Sequence, residues 1–267
     1  MRIHQLGTGT PEVAVVGAIH GDEPCGARAI ERLLETDPDV ERPVKLIVAN
    51  EEALERGVRY LDEDLNRAFP GDPDADSREA RLAHALGQEL RSCTTLSLHS
   101  TQSYDQPFAL VDGIDEVARS ICPHLPIEHV VETGPFADGR LIAHPHTIEV
   151  ECGLQGSDAA AENAYWIVRG FLSATGVLPA PMATDPLDIG DPETVPVFRL
   201  VDVIPKETGH RYEVFATNFE PVDAGTAFAA VDGQQLSAEE PFYPVLMSPH
   251  GYESVFGYAA ERVGELA

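Results

Sequence analysis

Short apolar runs alternate with amphipathic segments over the first two thirds of the chain, and this alternation constrains the fold more than any other feature. Residues 13–19 (VAVVGAI) and 44–50 (VKLIVAN) are continuously apolar, which is typical of strands buried on both faces of a sheet. Apolar residues at helical spacing follow in 21–35 and again in 77–92. We therefore predict an α/β fold with a mostly parallel or mixed sheet flanked by helices.

The pattern continues and then changes near residue 178. TTLSLHS (94–100) and HTIEVEC (146–152) predict two further strands. Beyond residue 178 prolines and acidic residues dominate, as is typical of a linker, and short β-like runs follow. We predict an α/β domain over residues 1–178 and a small β-rich domain over residues 179–267.

The charge of the chain excludes several classes of partner. Its 267 residues include 45 acidic and 18 basic side chains, for a formal net charge of −27. A field of this sign repels nucleic acid and anionic lipid, so we expect no nucleic-acid or membrane partner. The apolar runs are shorter than the roughly 20 residues of a membrane span, and the first residues do not resemble a signal segment, which favours a cytoplasmic location.

Lysine is almost absent, since only Lys45 and Lys206 among the 18 basic residues are lysines. An acidic surface with arginine in place of lysine fits a protein that stays soluble in concentrated salt, where charge repulsion is screened. We interpret this composition as halophilic; the alternative is an ordinary acidic cytoplasmic protein.

Two histidines follow strands that are expected to be neighbours. His20 follows the first apolar run and His99 ends TTLSLHS, and in such sheets ligand sites gather at the carboxyl ends of the strands. His20 and Glu23 are three positions apart in a glycine-flanked turn, where an imidazole and a carboxylate can bind one metal ion. With His99 they would form a three-ligand catalytic zinc site. Spacing alone leaves an alternative, a surface histidine beside a capping acid.

The segment RYLDEDLNRAFPG (59–71) places Arg59, Asn66 and Arg67 close together and ends in a turn signal. Guanidinium groups offer paired donors to a carboxylate. In a chain this acidic they also form a rare local basic site. We therefore expect a substrate that carries a carboxylate.

These strings, in this order, resemble the succinylglutamate desuccinylase/aspartoacylase family, which is related to zinc carboxypeptidases. The resemblance covers about residues 13–176 and extends more weakly to YPVLMSPHGYE near the C-terminus. The segments that carry it are GAIHGDEPCG (17–26), RYLDEDLNRAF (59–69), LHST (98–101) and TIEVECG (147–153). One departure is Ser97, where the family often has an aspartate that can orient the third metal ligand.

The resemblance implies a carboxypeptidase-like fold, one zinc ion per chain and hydrolysis of the amide bond in a small anionic N-acyl amino acid. It implies that zinc is bound by His20, Glu23 and His99. Arg59 would polarise the scissile carbonyl. The residues that would bind the substrate are Asn66 and Arg67, with Arg140 and Tyr252 as further candidates.

The strand that carries the general base offers two glutamates, Glu149 and Glu151, which point to the same face because side chains alternate along a strand. The preceding TIEV favours Glu149. The Glu-x-Gly that follows favours Glu151, which we prefer. Its carboxylate would take a proton from the attacking water, whose pKa a metal lowers to about 7, and return it to the leaving amine.

Two alternatives stay open at this point. The same zinc, arginine and glutamate parts would serve a metallocarboxypeptidase that trims peptide C-termini. A non-catalytic relative that binds metal or carboxylate is the other alternative. A small β domain over the site would favour compact substrates and exclude peptide chains.

Overall fold

The structure, a computed structural model, describes residues 1–179 and 194–267. Within them a ten-stranded sheet forms the centre, and a three-stranded sheet lies in the C-terminal part. From edge to edge the large sheet consists of β1 (Arg2–Leu6), β3 (Val44–Val48), β2 (Val13–Gly17), β4 (Thr94–Thr101), β7 (Thr147–Leu154), β5 (Phe108–Val111), β6 (His129–Glu132), β8 (Val195–Pro205), β13 (Val255–Leu266) and β12 (Tyr243–Val245). The small sheet consists of β11 (Gln234–Ser237), β10 (Ala227–Val231) and β9 (Tyr212–Val214).

Five α-helices accompany the sheets: α1 (Cys25–Thr36), α2 (Glu51–Arg56), α3 (Arg78–Leu90), α4 (Glu116–Ile121) and α5 (Asp158–Ala174). Three of them begin at side chains that accept a hydrogen bond from the backbone three residues on, namely Ser77, Asp115 and Ser157. Among the helices of the described residues, none combines the length and the apolar character needed to cross a bilayer.

The large sheet is mixed, as predicted. Strands β3, β2, β4 and β7 run parallel, while β1 and β5 pair antiparallel with the two outer members of that group. Helices cover both faces: α1 and α5 contribute Ile30 and Phe171 to one core, and α3 contributes Leu86 to the other. The apolar run of β2 follows from this, because Val15 belongs to the first core and Val16 to the second.

The C-terminal part of the chain is rich in β-structure, as predicted. Strand β8 continues the large sheet by pairing parallel to β6, and β13 pairs along the length of β8. Strands β9, β10 and β11 form the small antiparallel sheet. The predicted linker falls mostly on residues 180–193, outside the described residues, and the division into two domains stays a prediction.

Candidate metal centre and active site

The three predicted metal ligands converge at the carboxyl ends of β2 and β4. His99 lies near the end of β4, and His20 and Glu23 lie in the turn between β2 and α1. The turn packs closely: a Cβ atom built on Gly21 would stand 2.1 Å from the backbone of Ala53, so only glycine fits there. The Gly21 amide donates to the Arg59 carbonyl oxygen at 3.1 Å, which joins the turn to the arginine-bearing loop.

The ligand atoms of the three side chains all lie within 4.8 Å of one another. His20 Nδ1 is 2.8 Å from Glu23 Oε1, and His99 Nδ1 is 3.0 Å from Glu23 Oε2. All three residues are buried, with 2–4% of their surface exposed. Two imidazole nitrogens and one carboxylate are a donor set found in catalytic zinc sites, so these residues fit the ion that the sequence predicts.

The second ring nitrogen of each histidine has its own partner. His20 Nε2 is 3.0 Å from Asp64 Oδ1, and His99 Nε2 is 3.3 Å from Ser97 Oγ and 3.4 Å from Glu149 Oε2. Contacts of this kind fix the orientation and tautomer of a metal-binding histidine. They leave both Nδ1 atoms directed at Glu23, where a cation would bind.

The charges around His99 favour a positive group at this position. Burial alone would lower the pKa of His99, but the carboxylates of Glu149 and Glu23 raise it to about 10. A bound cation would take the place of this positive charge, because metal ligands bind in their deprotonated form.

Arg59 lies beside the metal ligands at the edge of the cleft. Its Nη1 donates to Glu23 Oε1 at 2.9 Å, while Nε and Nη2 donate to Asp64 Oδ2 at 3.2 and 3.1 Å. The guanidinium is half-buried. Asp64 thus contacts both His20 and Arg59, a role that the sequence analysis missed although Asp64 belongs to the Asp-Leu-Asn-Arg string.

The loop that carries Arg59 and Asp64 is held by a buried carboxylate on α3. Glu79 Oε1 accepts from the Leu61 amide at 2.8 Å and from Asn50 Nδ2 at 3.1 Å, and Oε2 accepts from the Asp62 amide at 3.1 Å. Glu79 has no exposed surface. Burial by itself would raise the pKa of Glu79, but the hydrogen bonds from Leu61 and Asn50 lower it.

Glu79→Ala is expected to lower the free energy of unfolding by about 3 kcal/mol or more, because each buried donor left unpaired costs roughly 1–3 kcal/mol. Urea denaturation at pH 7 measures the loss. The folded pKa of Glu79 is lowered, so its stabilisation is present above the unfolded pKa of about 4.3 and is lost as the pH falls further. The difference from wild type should therefore shrink in acid.

Glu55→Ala, on the exposed side of α2, is the matched control and should change the unfolding free energy by less than about 0.5 kcal/mol. If Glu79→Ala were as stable as this control, the loop would not depend on Glu79.

Four predicted substrate-binding residues line the same cleft: Asn66, Arg67, Arg140 and Tyr252. The Asn66 amide is already engaged, since Nδ2 donates to Glu149 Oε2 at 3.2 Å and Oδ1 accepts from the Leu141 amide at 2.9 Å. Asn66 therefore has less capacity for a ligand than the sequence analysis assumed.

Arg67 and Arg140 bring two guanidinium groups into the cleft. Arg140 is 7% exposed and donates through Nη2 to the Tyr258 hydroxyl at 2.6 Å, while Arg67 Nη1 donates to the Asn66 carbonyl oxygen at 2.7 Å. Burial and the charge of Arg140 lower the pKa of Arg67. Neither guanidinium forms an ion pair with a carboxylate among residues 1–179 and 194–267, so the pair is suited to bind an anion.

The two glutamates of β7 differ in their surroundings. Ser97 pairs in register with Glu149, and His99 pairs with Glu151, so both carboxylates lie beside the metal ligands. Glu151 Oε2 is buried and has no hydrogen-bond partner within the described part of the chain. Burial, reinforced by the charge of Glu23, raises the pKa of Glu151 to about 8, although His99 opposes the shift. An unpaired carboxylate of this kind is suited to proton transfer.

Residues 9–112 match the sequence model of the succinylglutamate desuccinylase/aspartoacylase catalytic domain. The chain is 34% identical over 87 residues to the N-acyl-aromatic-L-amino acid amidohydrolase (carboxylate-forming) of Xenopus tropicalis, covering 29% of this chain and 28% of the relative. It is 29% identical over 172 residues to the aspartoacylase of Xenopus tropicalis, covering 54% of each. The chain thus spans from about a quarter to about half of the length of these curated relatives.

The fold is shared over nearly the whole chain with solved structures. Succinylglutamate desuccinylase/aspartoacylase from Rhodobacter sphaeroides superposes with a TM-score of 0.77 at 19% identity, covering 98% of this chain and 89% of that one. At this identity the likeness is one of fold. The family match nevertheless includes His20, Glu23 and His99 together with the arginine-bearing loop. Residues 9–112 thus carry the catalytic-domain signature of the succinylglutamate desuccinylase/aspartoacylase family, and the fold of nearly the whole chain is that of the solved members.

Proposed function

We propose that the protein is a zinc-dependent deacylase that hydrolyses the amide bond of a small N-acylated amino acid. The observation that carries the proposal is one cleft that brings a His-Glu-His donor set together with two arginines that lack an acidic partner among the described residues. His20, Glu23 and His99 would hold the ion. When bound, zinc would polarise the scissile carbonyl and acidify the attacking water.

Arg67 and Arg140 would hold the carboxylate of the substrate. Arg140 is buried and Arg67 lies at the exposed edge of the cleft, and an anionic ligand would supply the ion-pair partner that neither has among the described residues. Tyr252 lines the same wall and would restrict the position of the ligand. The cleft has an empty volume of about 550 Å³, part of it open to solvent, which suits a compact substrate.

Glu151 would act as the general base. Its buried, unpaired oxygen would accept a proton from the attacking water and deliver it to the nitrogen of the leaving amine. Arg59 would donate hydrogen bonds to the carbonyl oxygen as negative charge develops there. Because Arg59 is held by Glu23 and Asp64, its position is set before the substrate arrives.

The names of the two curated relatives support an acylated amino acid as the substrate class. Residues 246–252 of the C-terminal part contribute Leu246, Ser248 and Tyr252 to the cleft wall. This wall favours compact substrates over peptides and so favours a deacylase over a carboxypeptidase.

The test is a substrate panel for the zinc-loaded protein, with release of free amine as the readout. The panel contains N-acetyl and N-succinyl derivatives of aspartate, glutamate and phenylalanine, and tripeptides with free C-termini. We expect hydrolysis of at least one acylated amino acid and no cleavage of the tripeptides. Arg67→Ala should lower kcat/KM by about 10–100-fold, mainly through KM, because a charge-assisted hydrogen bond is lost.

Arg56→Ala, on the exposed face of α2, serves as the control and should behave as wild type. Cleavage of the tripeptides in preference to every acylated amino acid would favour the carboxypeptidase. No turnover of any panel member by the folded, zinc-loaded protein would contradict the proposal.

A further inference from the structure

We propose that Glu149 is a positioning residue that fixes the His99 imidazole and the Asn66 amide together, and so couples the metal centre to the substrate-binding wall. The inference rests on the proposed metal-dependent function. It assigns Glu149 a role distinct from that of Glu151, although the two share one strand and one face.

The contacts of Glu149 converge on one oxygen. Its Oε2 accepts from Asn66 Nδ2 at 3.2 Å and lies 3.4 Å from His99 Nε2. Glu149 is only 3% exposed, so these contacts are made away from bulk water. A carboxylate without a proton only accepts hydrogen bonds, so it favours the His99 tautomer with the hydrogen on Nε2. That tautomer leaves the lone pair of Nδ1 free for a cation.

Strand β4 offers His99 Nε2 a serine, so the contact of this nitrogen with a carboxylate depends on Glu149. Ser97 pairs in register with Glu149, and its hydroxyl lies 3.3 Å from the same His99 nitrogen. Serine is neutral, so within the described residues Glu149 supplies the one negative charge beside His99 Nε2. Because the Ser97 hydroxyl already lies 3.3 Å from Nε2, we expect a carboxylate at position 97 to reach the same nitrogen from β4.

The Asn66 contact gives Glu149 a second function. Asn66 Oδ1 accepts a hydrogen bond from the backbone amide of Leu141. The Asn66 side chain therefore bridges Glu149 on β7 and the segment that carries Arg140. The Asn66 backbone carbonyl oxygen accepts from Arg67 Nη1. Loss of Glu149 would therefore disturb Arg67 as well as His99, whereas a carboxylate at position 97 would restore only the His99 contact.

The experiment measures zinc affinity by chelator competition, with no substrate present, for wild type, Glu149→Ala, Ser97→Asp and the double variant Ser97→Asp/Glu149→Ala. Glu149→Ala should bind zinc about 10–100-fold more weakly than wild type. The double variant should regain most of that affinity. Its KM for the best acylated amino acid should stay raised, because Asn66 is still unsupported.

The zinc affinities distinguish a failure of this inference from a failure of the proposed function. Wild-type affinity in Glu149→Ala, or no recovery in the double variant, would overturn the inference while leaving the metal site intact. Failure of wild type to bind zinc would instead overturn the proposed function. If Glu149→Ala does not fold, Glu149→Gln with and without Ser97→Asp gives the same comparison of zinc affinity, since glutamine keeps the shape but loses the charge.

Discussion

Replacing Glu151 with glutamine is expected to lower kcat by about 10²–10⁴-fold while zinc affinity stays close to that of wild type. Glutamine has nearly the same shape, but its amide cannot accept a proton from the attacking water. Glu151 makes no hydrogen bond through its buried Oε2 to any described residue, so the substitution removes proton transfer and little else. Steady-state kinetics on the best panel substrate, together with zinc titration, measure both quantities.

Glu149→Gln is the matched comparison, because Glu149 lies two residues away on the same face of β7. It should weaken zinc binding, whereas Glu151→Gln should not. If Glu151→Gln kept wild-type kcat and Glu149→Gln lost it, the assignment of the two glutamates would be reversed.

Replacing Arg59 with glutamine is expected to lower kcat by about 10²–10³-fold, the usual cost of removing one donor that stabilises negative charge in the transition state. Arg59 stands beside Glu23 at the edge of the cleft, and its guanidinium is fixed by Asp64. Arg59→Lys should recover only part of the loss, because an ammonium group lacks the planar set of donors.

Arg56→Gln, three residues earlier on the exposed face of α2, is the control and should leave kcat unchanged. A loss in Arg59→Gln that fell wholly on KM, with kcat unchanged, would contradict the role in the transition state and would point to ground-state binding.

The central strands were predictable from sequence because they are buried on both faces. Strand β2 reads as a continuous apolar run, and β4 ends on His99 at the place where ligands gather. Strands β1 and β13 were missed for the opposite reason: β1 is mostly exposed at the sheet edge, and β13 contains a continuous exposed run over residues 261–265. Strand β1 pairs with β3, and β13 pairs with β8, across long sequence separations that a local hydrophobic pattern cannot predict.

The cluster of His20, Glu23 and His99 was predictable because His20 and Glu23 are neighbours in sequence and His99 ends a recognisable strand. Their supporting residues were not, because Asp64 contacts His20 across 44 positions and Glu79 contacts Asn50 across 29. The different surroundings of Glu149 and Glu151 could not be predicted either, and which of them is the general base stays a prediction. The strand register pairs His99 with Glu151, and only the side-chain contacts show that Glu149 is the carboxylate engaged by His99 and Asn66.

Two predictions from the composition, the need for salt and the cellular location, cannot be tested by the fold. The need for molar salt, inferred from the net charge of −27 and the scarcity of lysine, stays a prediction, as does the cytoplasmic location. Activity and unfolding measured between dilute buffer and molar salt would decide the first. Full stability in dilute buffer would show that the inference is wrong.

The most direct test of the account is the metal content of wild type and His20→Ala, purified in parallel in high salt and reloaded with zinc before elemental analysis. We predict about one zinc per wild-type chain and loss of that zinc in the variant, because three protein ligands are the usual set in catalytic zinc sites. A folded wild-type protein that holds no zinc after reloading would contradict the central claim.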